Sequence, residues 1–430
     1  MTLELALEVA GWPASLASQR DKHATIVRSV DEFERLLLFG GHLDRILVLR
    51  DGVRLLGLEQ ALPAEVADAA VGETCVRRFL QRLGDDTALQ QLRGRVYLTP
   101  KDSKDEVELR RGADGAELDT LADKRAALAA RDPEDSVYVG ELRRAHKYRH
   151  PADNRWSKTL LSRGVCDFVG KTRSLAMPYW DRYDEGVFVG GTFGGSPMHV
   201  DQVMWSNVGK NLLGHKLLAI WPYGKPSEAL FDEHNYSLFI PPLRVSELAA
   251  LEQCACVALL SPGDVVLFHG GNAHMALSVS RELSVTAYES FINLNPSNLN
   301  AFLASGTDDQ YRQCRTRQPM LDDIKTDVAV SLNDLVEDVE DDVLQDAELE
   351  HAAPTAISLL RRDALIAKQV APLRPPRRRR GEGLCHSGPY PTGPSGRWGD
   401  TQTAQAAAER ESGRKKGPLR HESTKGHVGR

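Results

Sequence analysis

Apolar positions in the first 135 residues recur mostly at helical spacing. Residues 31–39 (DEFERLLLF) follow a capping candidate at Ser29 or Asp31. The same style continues from Glu59 to Leu83 and through the Ala/Leu/Asp-rich stretch from Leu118 to Arg131. Two short runs inside this region, 45–50 (RILVLR) and 95–99 (RVYLT), read as strands. From Ser136 to about Pro296 the texture changes. Apolar runs become short and are separated by Gly and Pro: 187–190 (VFVG), 216–222 (KLLAIWP), 256–260 (CVALL), 264–268 (DVVLF) and 283–288 (LSVTAY). Many short strands punctuated by turn signals predict a sandwich or barrel. The sharpest turn is Ser261–Asp264, where Pro262 presets φ and Gly263 accepts the positive φ of a type II turn. Residues 223–241 read as a loop on the rim. Residues 301–370 return to helix, with acids from Asp322 to Glu350 around a Val/Leu stripe. This predicts a solvated face packed on the barrel or on a second copy. From Ala371 onward Pro, Gly, Ser and charge replace apolar periodicity, and disorder is expected.

The chain therefore divides into a mostly helical region (1–135), a β-rich region (136–300), an acidic helical segment (301–370) and a basic tail (371–430). Hydrophobic content of 41% supports a real core. The net charge of −6 hides an asymmetry: residues 372–430 carry 13 Lys/Arg against 5 Asp/Glu, so the tail is near +8 and the rest near −14. An acidic body with a basic tail is unlike a dedicated DNA-binding domain. The run Arg374 to Arg380 fits a nuclear import signal, an RNA contact or a solvated linker alike. The six Cys form no C-x-x-C pair, which leaves a zinc knuckle or thioredoxin-type site unsupported. Cys254 and Cys256 alternate in an apolar stretch and read as buried thiols in a reducing compartment. The N-terminus has no basic n-region, and no apolar run approaches the ~20 residues of a membrane span. A nuclear or cytoplasmic location is expected, with no membrane partner.

The candidate chemistry lies in residues 194–201 (GGSPMHVD). His199 and Asp201 stand two positions apart in an extended segment, so they point to one side and can hold two adjacent corners of a metal. With a distant His they make two imidazoles and a carboxylate on one face of an octahedron, an arrangement suited to Fe(II) and O2. The pattern alone is weak. With 13 His and 60 acids in 430 residues, about two His-x-acid hits arise by chance. His42-Leu43-Asp44 is one such decoy and reads as ordinary surface at the start of an element. Residues 261–274 (SPGDVVLFHGGNAH) supply the missing His: a turn, an apolar strand, a small-residue break and then His274. Lys216 shares strand parity with Leu218 and Ile220 and points inward with them. A Lys buried among apolar groups is costly unless it meets an anion, although a Lys at a strand start can also snorkel to water.

These pieces resemble the JmjC family of Fe(II)/2-oxoglutarate oxygenases, which belong to the cupin fold. The shared pattern is Ser196-Pro197-Met198-His199-Val200-Asp201, Asn207, Gly214-His215-Lys216, an apolar strand ending in Pro222, and Gly263-Asp264 leading to His274. It covers roughly residues 136–296 and is most similar to the factor-inhibiting type of JmjC hydroxylase. Two departures stand out: His269 occupies the place of the family's Pro, and the interval from Asp201 to Asn207 is about two residues longer.

The resemblance implies an α+β protein with a double-stranded β-helix (jelly-roll) core, helical additions at both ends and a disordered basic tail. It implies Fe(II) on His199, Asp201 and His274, with 2-oxoglutarate as co-substrate and O2 as oxidant. It makes Lys216 the partner of the far carboxylate, with Ser196, Asn207 and the weaker candidate Thr192 as hydrogen-bonding groups. The implied reaction is hydroxylation of a protein or peptide side chain with release of succinate and CO2. A JmjC lysyl demethylase, an RNA-modifying oxygenase approached through the basic tail, and a non-catalytic cupin-like binding module remain as alternatives. A homodimer through the segment after the barrel is equally open. His269 and His215 carry no metal role in this reading, and the basic cluster from Arg143 to His150 reads as a solvated face, with guidance of an acidic or nucleic-acid substrate as the alternative.

Overall fold

The computed structural model describes residues 1–39, 43–57, 75–83, 93–100, 107–112, 115–118, 120–132, 135–143, 183–201, 206–291, 295, 297–298 and 301–302. The acidic segment after residue 302, the basic tail, the basic cluster after Arg143, residues 59–74 of the expected helix and His42 lie outside them.

Thirteen strands are described: β1 (Thr25–Val27), β2 (Leu47–Leu49), β3 (Arg93–Thr99), β4 (Val107–Glu108), β5 (Ser136–Arg143), β6 (Tyr183–Gly190), β7 (Gly195–His199), β8 (Ser206–Leu213), β9 (Lys216–Ile220), β10 (Cys256–Leu260), β11 (Val265–His269), β12 (His274–Ser278) and β13 (Ser284–Phe291). They form a nine-stranded sheet, β1-β2-β11-β8-β13-β6-β5-β3-β4, and a four-stranded sheet, β10-β9-β12-β7. All pairings but β1–β2 are antiparallel. Consecutive strands from β6 to β13 alternate between the two sheets, except that β9 and β10 are neighbours. This mixed α+β architecture is consistent with a jelly-roll core.

Strand parity divides the large sheet into two buried faces. On one, Val187, Val189, Val285 and Ala287 meet Val96, Leu98, Val137 and Val139, under Val76, Phe79 and Leu80 of helix Cys75–Leu83 and Leu121 and Leu128 of helix Leu121–Ala129. On the other, Val48, Val266 and Phe268 face Leu218, Ile220, Cys256, Ala258, Leu260 and Ala276 of the small sheet. The helical style of the N-terminal region thus reflects a cover for the outer face. The same region also adds strands: β1 and β2 extend one edge of the large sheet and β3 to β5 the other, so the sheet runs on across residue 135.

Local chemistry matches the expected punctuation. Ser29 Oγ accepts the Glu32 N–H at the start of helix Val30–Phe39. Gly263 has φ +90°, and the Asp264 N–H donates to the Ser261 carbonyl, closing the turn before β11. Asp264 then pairs with Arg50, tying β2 to this turn. One expectation fails. Within 223–241, expected as a loop, lies helix Lys225–His234. Gly224 (φ +87°) turns the chain, Pro226 occupies the first helical turn, and Ser227, Leu230, Phe231 and His234 bury one face. A second helix, Val245–Glu252, starts with the Glu247 carboxylate accepting the Arg244 N–H.

Gly195 is where the small sheet tolerates no side chain. A Cβ there would lie 1.9 Å from the Ala276 carbonyl oxygen, and both partners are backbone. Gly195→Ala is expected to cost about 1–3 kcal/mol, read as a lower midpoint in urea unfolding.

Candidate metal centre

The end of β7 and the start of β12 lie side by side, and the register places His199 directly opposite His274. Side chains of directly opposed residues share a face, here the interior. Their rings approach to 4.1 Å between centroids at 53°. Asp201 follows two residues after His199, and its Oδ1 lies 3.6 Å from His199 Nε2 and 3.7 Å from His274 Nε2. The ligand-type atoms of these three residues fall within 4.8 Å of one another.

Each imidazole is oriented by its own backbone. His199 Nδ1 donates to the Pro197 carbonyl at 2.7 Å, and His274 Nδ1 donates to the Asn272 carbonyl at 2.8 Å. A carbonyl can only accept, so each Nδ1 carries a proton and both Nε2 atoms face Asp201. Nε2 is the ring atom this leaves for a metal. Asp201 is held from two sides. Its N–H donates to the Gly270 carbonyl at 3.0 Å, and its Oδ2 accepts from Asn207 Nδ2 at 2.6 Å. Burial pushes its carboxyl above the ordinary range, and His274 and Asn207 offset this in part. Two imidazole Nε2 atoms and a carboxylate, all aimed at one small volume, are a donor set that fits Fe(II).

Lys216 lies deeper on the same inner face. It is opposite Ser278 of β12, while His274 is opposite Ile220, so the two levels are separated by about 13 Å of strand. Lys216 is 1% exposed. Its Nζ donates to Thr286 Oγ1 at 3.0 Å, Thr286 donates to Asn211 Oδ1 at 2.9 Å, and Asn211 Nδ2 donates to the Gly214 carbonyl at 2.9 Å. That chain consumes the Thr286 proton and leaves Lys216 with a neutral acceptor. Burial, with no carboxylate among the described residues to oppose it, draws its pKa down to about 7. Ser278 Oγ is also buried, and no described residue partners it. Ser196 bonds to Tyr138 Oη of β5 at 2.8 Å, bridging the two sheets beside this pocket. Phe268, Tyr288 and Phe188 continue the wall: Phe268 lies 4.9 Å from His274, Tyr288 6.1 Å from Phe268 and Phe188 5.4 Å from Tyr288. Burial and the nearby Asp201 raise the Tyr288 phenol well above its usual range.

The structure brings His199, Asp201 and His274 together and places Lys216 and Ser196 on the same interior. Asn207, expected to contact a co-substrate, donates to Asp201. Thr192 donates to the Ser280 carbonyl at 2.9 Å in the turn before β7. His269 lies outside the triad, and its Nδ1 accepts the Gly271 N–H. His215 is half-buried, and desolvation lowers its pKa. Cys254 and Cys256 are buried free thiols raised to about 12 and about 11. Tyr138, Thr286, Asn211 and Ser278 are absent from the sequence reading. A signal for Thr286 was available: in 283–288 (LSVTAY) polar residues alternate with apolar ones, and a strand buried on both faces must satisfy such polar groups internally.

No protein-family model matches the chain, and no curated protein matches it. Among solved structures it is similar to YcfD, a ribosomal oxygenase from Escherichia coli, at 12% identity over 90% of this chain and 67% of that one, with a TM-score of 0.34. A second structure of that oxygenase, in complex with cobalt and 2-oxoglutarate, matches at 14% identity over 61% of this chain and 52% of that one, with a TM-score of 0.31. Likeness at this level does not bear on what this chain does. Among the described residues no helix is long and apolar enough to cross a membrane.

Gly270 gives Asp201 its seat, since a Cβ there would stand 2.2 Å from Asp201 Oδ2. Gly270→Ala is expected to turn this carboxylate away from the imidazoles. Calorimetric titration with Co(II) should then show binding weakened at least about tenfold, with far-ultraviolet circular dichroism unchanged.

Proposed function

We propose that the chain is an Fe(II)/2-oxoglutarate-dependent oxygenase that hydroxylates a protein side chain, with a double-stranded β-helix domain over residues 136–300. The observation that carries this reading is the pairing of two features on one interior face. One is a His199/Asp201/His274 triad whose ligand-type atoms converge within 4.8 Å. The other is a buried Lys216 with no anionic neighbour among the described residues. A triad of this kind occupies one face of a metal and leaves positions for an exogenous chelator. A buried cation beside an unpartnered hydroxyl asks for a carboxylate. One small molecule that chelates a metal at one end and carries a carboxylate at the other satisfies both.

His199, Asp201 and His274 would hold the iron. Lys216 and Ser278 would bind the far carboxylate, with Ser196 and Tyr138 lining the space between and Thr286 holding Lys216 in place. Fe(II) with 2-oxoglutarate supplies O2 activation: a substrate C–H, 2-oxoglutarate and O2 become the alcohol, succinate and CO2. The chain's own residues orient both reactants and keep the site dry. Phe268, Phe188 and Tyr288 exclude water, and Asn207 keeps Asp201 turned towards the imidazoles.

The direct test is succinate formation by the purified full-length protein with Fe(II), 2-oxoglutarate and O2. The wild type is expected to form succinate and His199→Ala to form none. Equal rates in both, or none in the wild type once iron is bound, would refute turnover and favour a binding module. Lys216→Ala is expected to weaken 2-oxoglutarate by about 10- to 100-fold, the worth of a charged hydrogen bond, while Co(II) affinity stays at the wild-type value in calorimetry.

The lowered pKa of Lys216 gives a pH dependence with a definite sign. Below about 7 the ammonium is already charged, and 2-oxoglutarate affinity should be at its full value. Above that, binding must take up a proton, so affinity falls by up to about tenfold per pH unit. Calorimetry in buffers of different ionisation enthalpy should register up to one proton taken up near pH 8. No proton uptake there would contradict a carboxylate bound at Lys216.

A further inference from the structure

One turn seats two of the three triad residues. Residues 269–273 connect β11 to β12. The Gly270 carbonyl accepts the Asp201 N–H, and the Asn272 carbonyl accepts His274 Nδ1. The position of this turn therefore sets the position of both ligands. Its own anchorage is at Asn272, whose side chain is fully buried. Asn272 Nδ2 donates to the Trp221 carbonyl and to Asp44 Oδ1, both at 2.7 Å. Asp44 Oδ1 also accepts the Tyr223 N–H at 2.6 Å, and the Asp44 N–H points back to Asn272 Oδ1 at 3.5 Å. The carboxylate thus joins the chain leaving β9 to the turn entering β12, from a position 228 residues away in sequence. Asp44 holds φ +66°, a left-handed conformation that Asp and Asn tolerate better than other side chains.

We propose that Asp44 is a positioning residue for the metal centre, fixing through Asn272 the turn that seats Asp201 and His274. This rests on the reading of the triad as a metal site. Asp44 acts on the ligands at one remove, as second-layer partners of a metal do. It also gives the N-terminal region, which carries no ligand, a part in the chemistry.

The test titrates Co(II) into the metal-free full-length protein and reads the dissociation constant together with the d–d absorption bands. Asp44→Ala is expected to weaken Co(II) about tenfold and to shift the bands, while Asp44→Asn, which keeps an acceptor oxygen in place, stays within about twofold of wild type. A folded Asp44→Ala with a lower Tm but unchanged affinity and spectrum would show a purely structural role and overturn the proposal. Should Asp44→Ala not fold, Asn272→Leu cuts the same link from the other end: weaker Co(II) supports the proposal, and unchanged affinity and bands overturn it. If wild type and His199→Ala bind Co(II) equally poorly, the metal centre itself falls, and this inference with it.

Discussion

Two hydrogen bonds from imidazole Nδ1 to backbone carbonyls set the chemistry of this protein. Each links a triad His to the carbonyl two residues before it, Pro197 for His199 and Asn272 for His274. Each thereby fixes a ring orientation with Nδ1 turned to the backbone, and the Nε2 atoms meet because β7 and β12 bring His199 opposite His274. A slip of one residue in that pairing would turn one ring to the other face of the sheet. Gly195 resists such a slip, since only a residue without Cβ fits against the Ala276 carbonyl.

The second constraint is electrostatic. Lys216 enters the interior on the face of Leu218 and Ile220, where an ammonium loses its water. Thr286 returns part of that loss through one hydrogen bond. In the proposed function the rest is left for a ligand, and co-substrate binding would be coupled to protonation. On that proposal, burying Lys216 trades stability for a ready-made anion site. The strands that carry Lys216 and Ser278 also carry core residues, so the site is as rigid as the fold around it.

Much of this was legible in the chain. Short apolar runs with Gly/Pro breaks announced the strands, Pro262-Gly263 the turn, and parity the inward course of Lys216. The residues flanking His199, Asp201 and His274, through their resemblance to the JmjC pattern, singled out the triad against a chance background of similar pairs. Helix Lys225–His234 was missed because its start is set by Gly224 and Pro226, residues that mark a loop equally well. Asp44 was dismissed with the decoy His42-Leu43-Asp44, since nothing local distinguishes it from a surface acid.

Residue order fixed what depends on near neighbours: strand alternation, caps, the type II turn and which side chains share a face. Those effects act over a few bonds and repeat with a known period. The folded chain alone revealed the long-range partners. Asp44 meets Asn272, Lys216 meets Thr286, Tyr138 meets Ser196, and Asn207 turns to Asp201. Three of these four contacts join residues far apart in the chain, and all four exist because two sheets close on each other, an event governed by the packing of the whole core and by no local pattern.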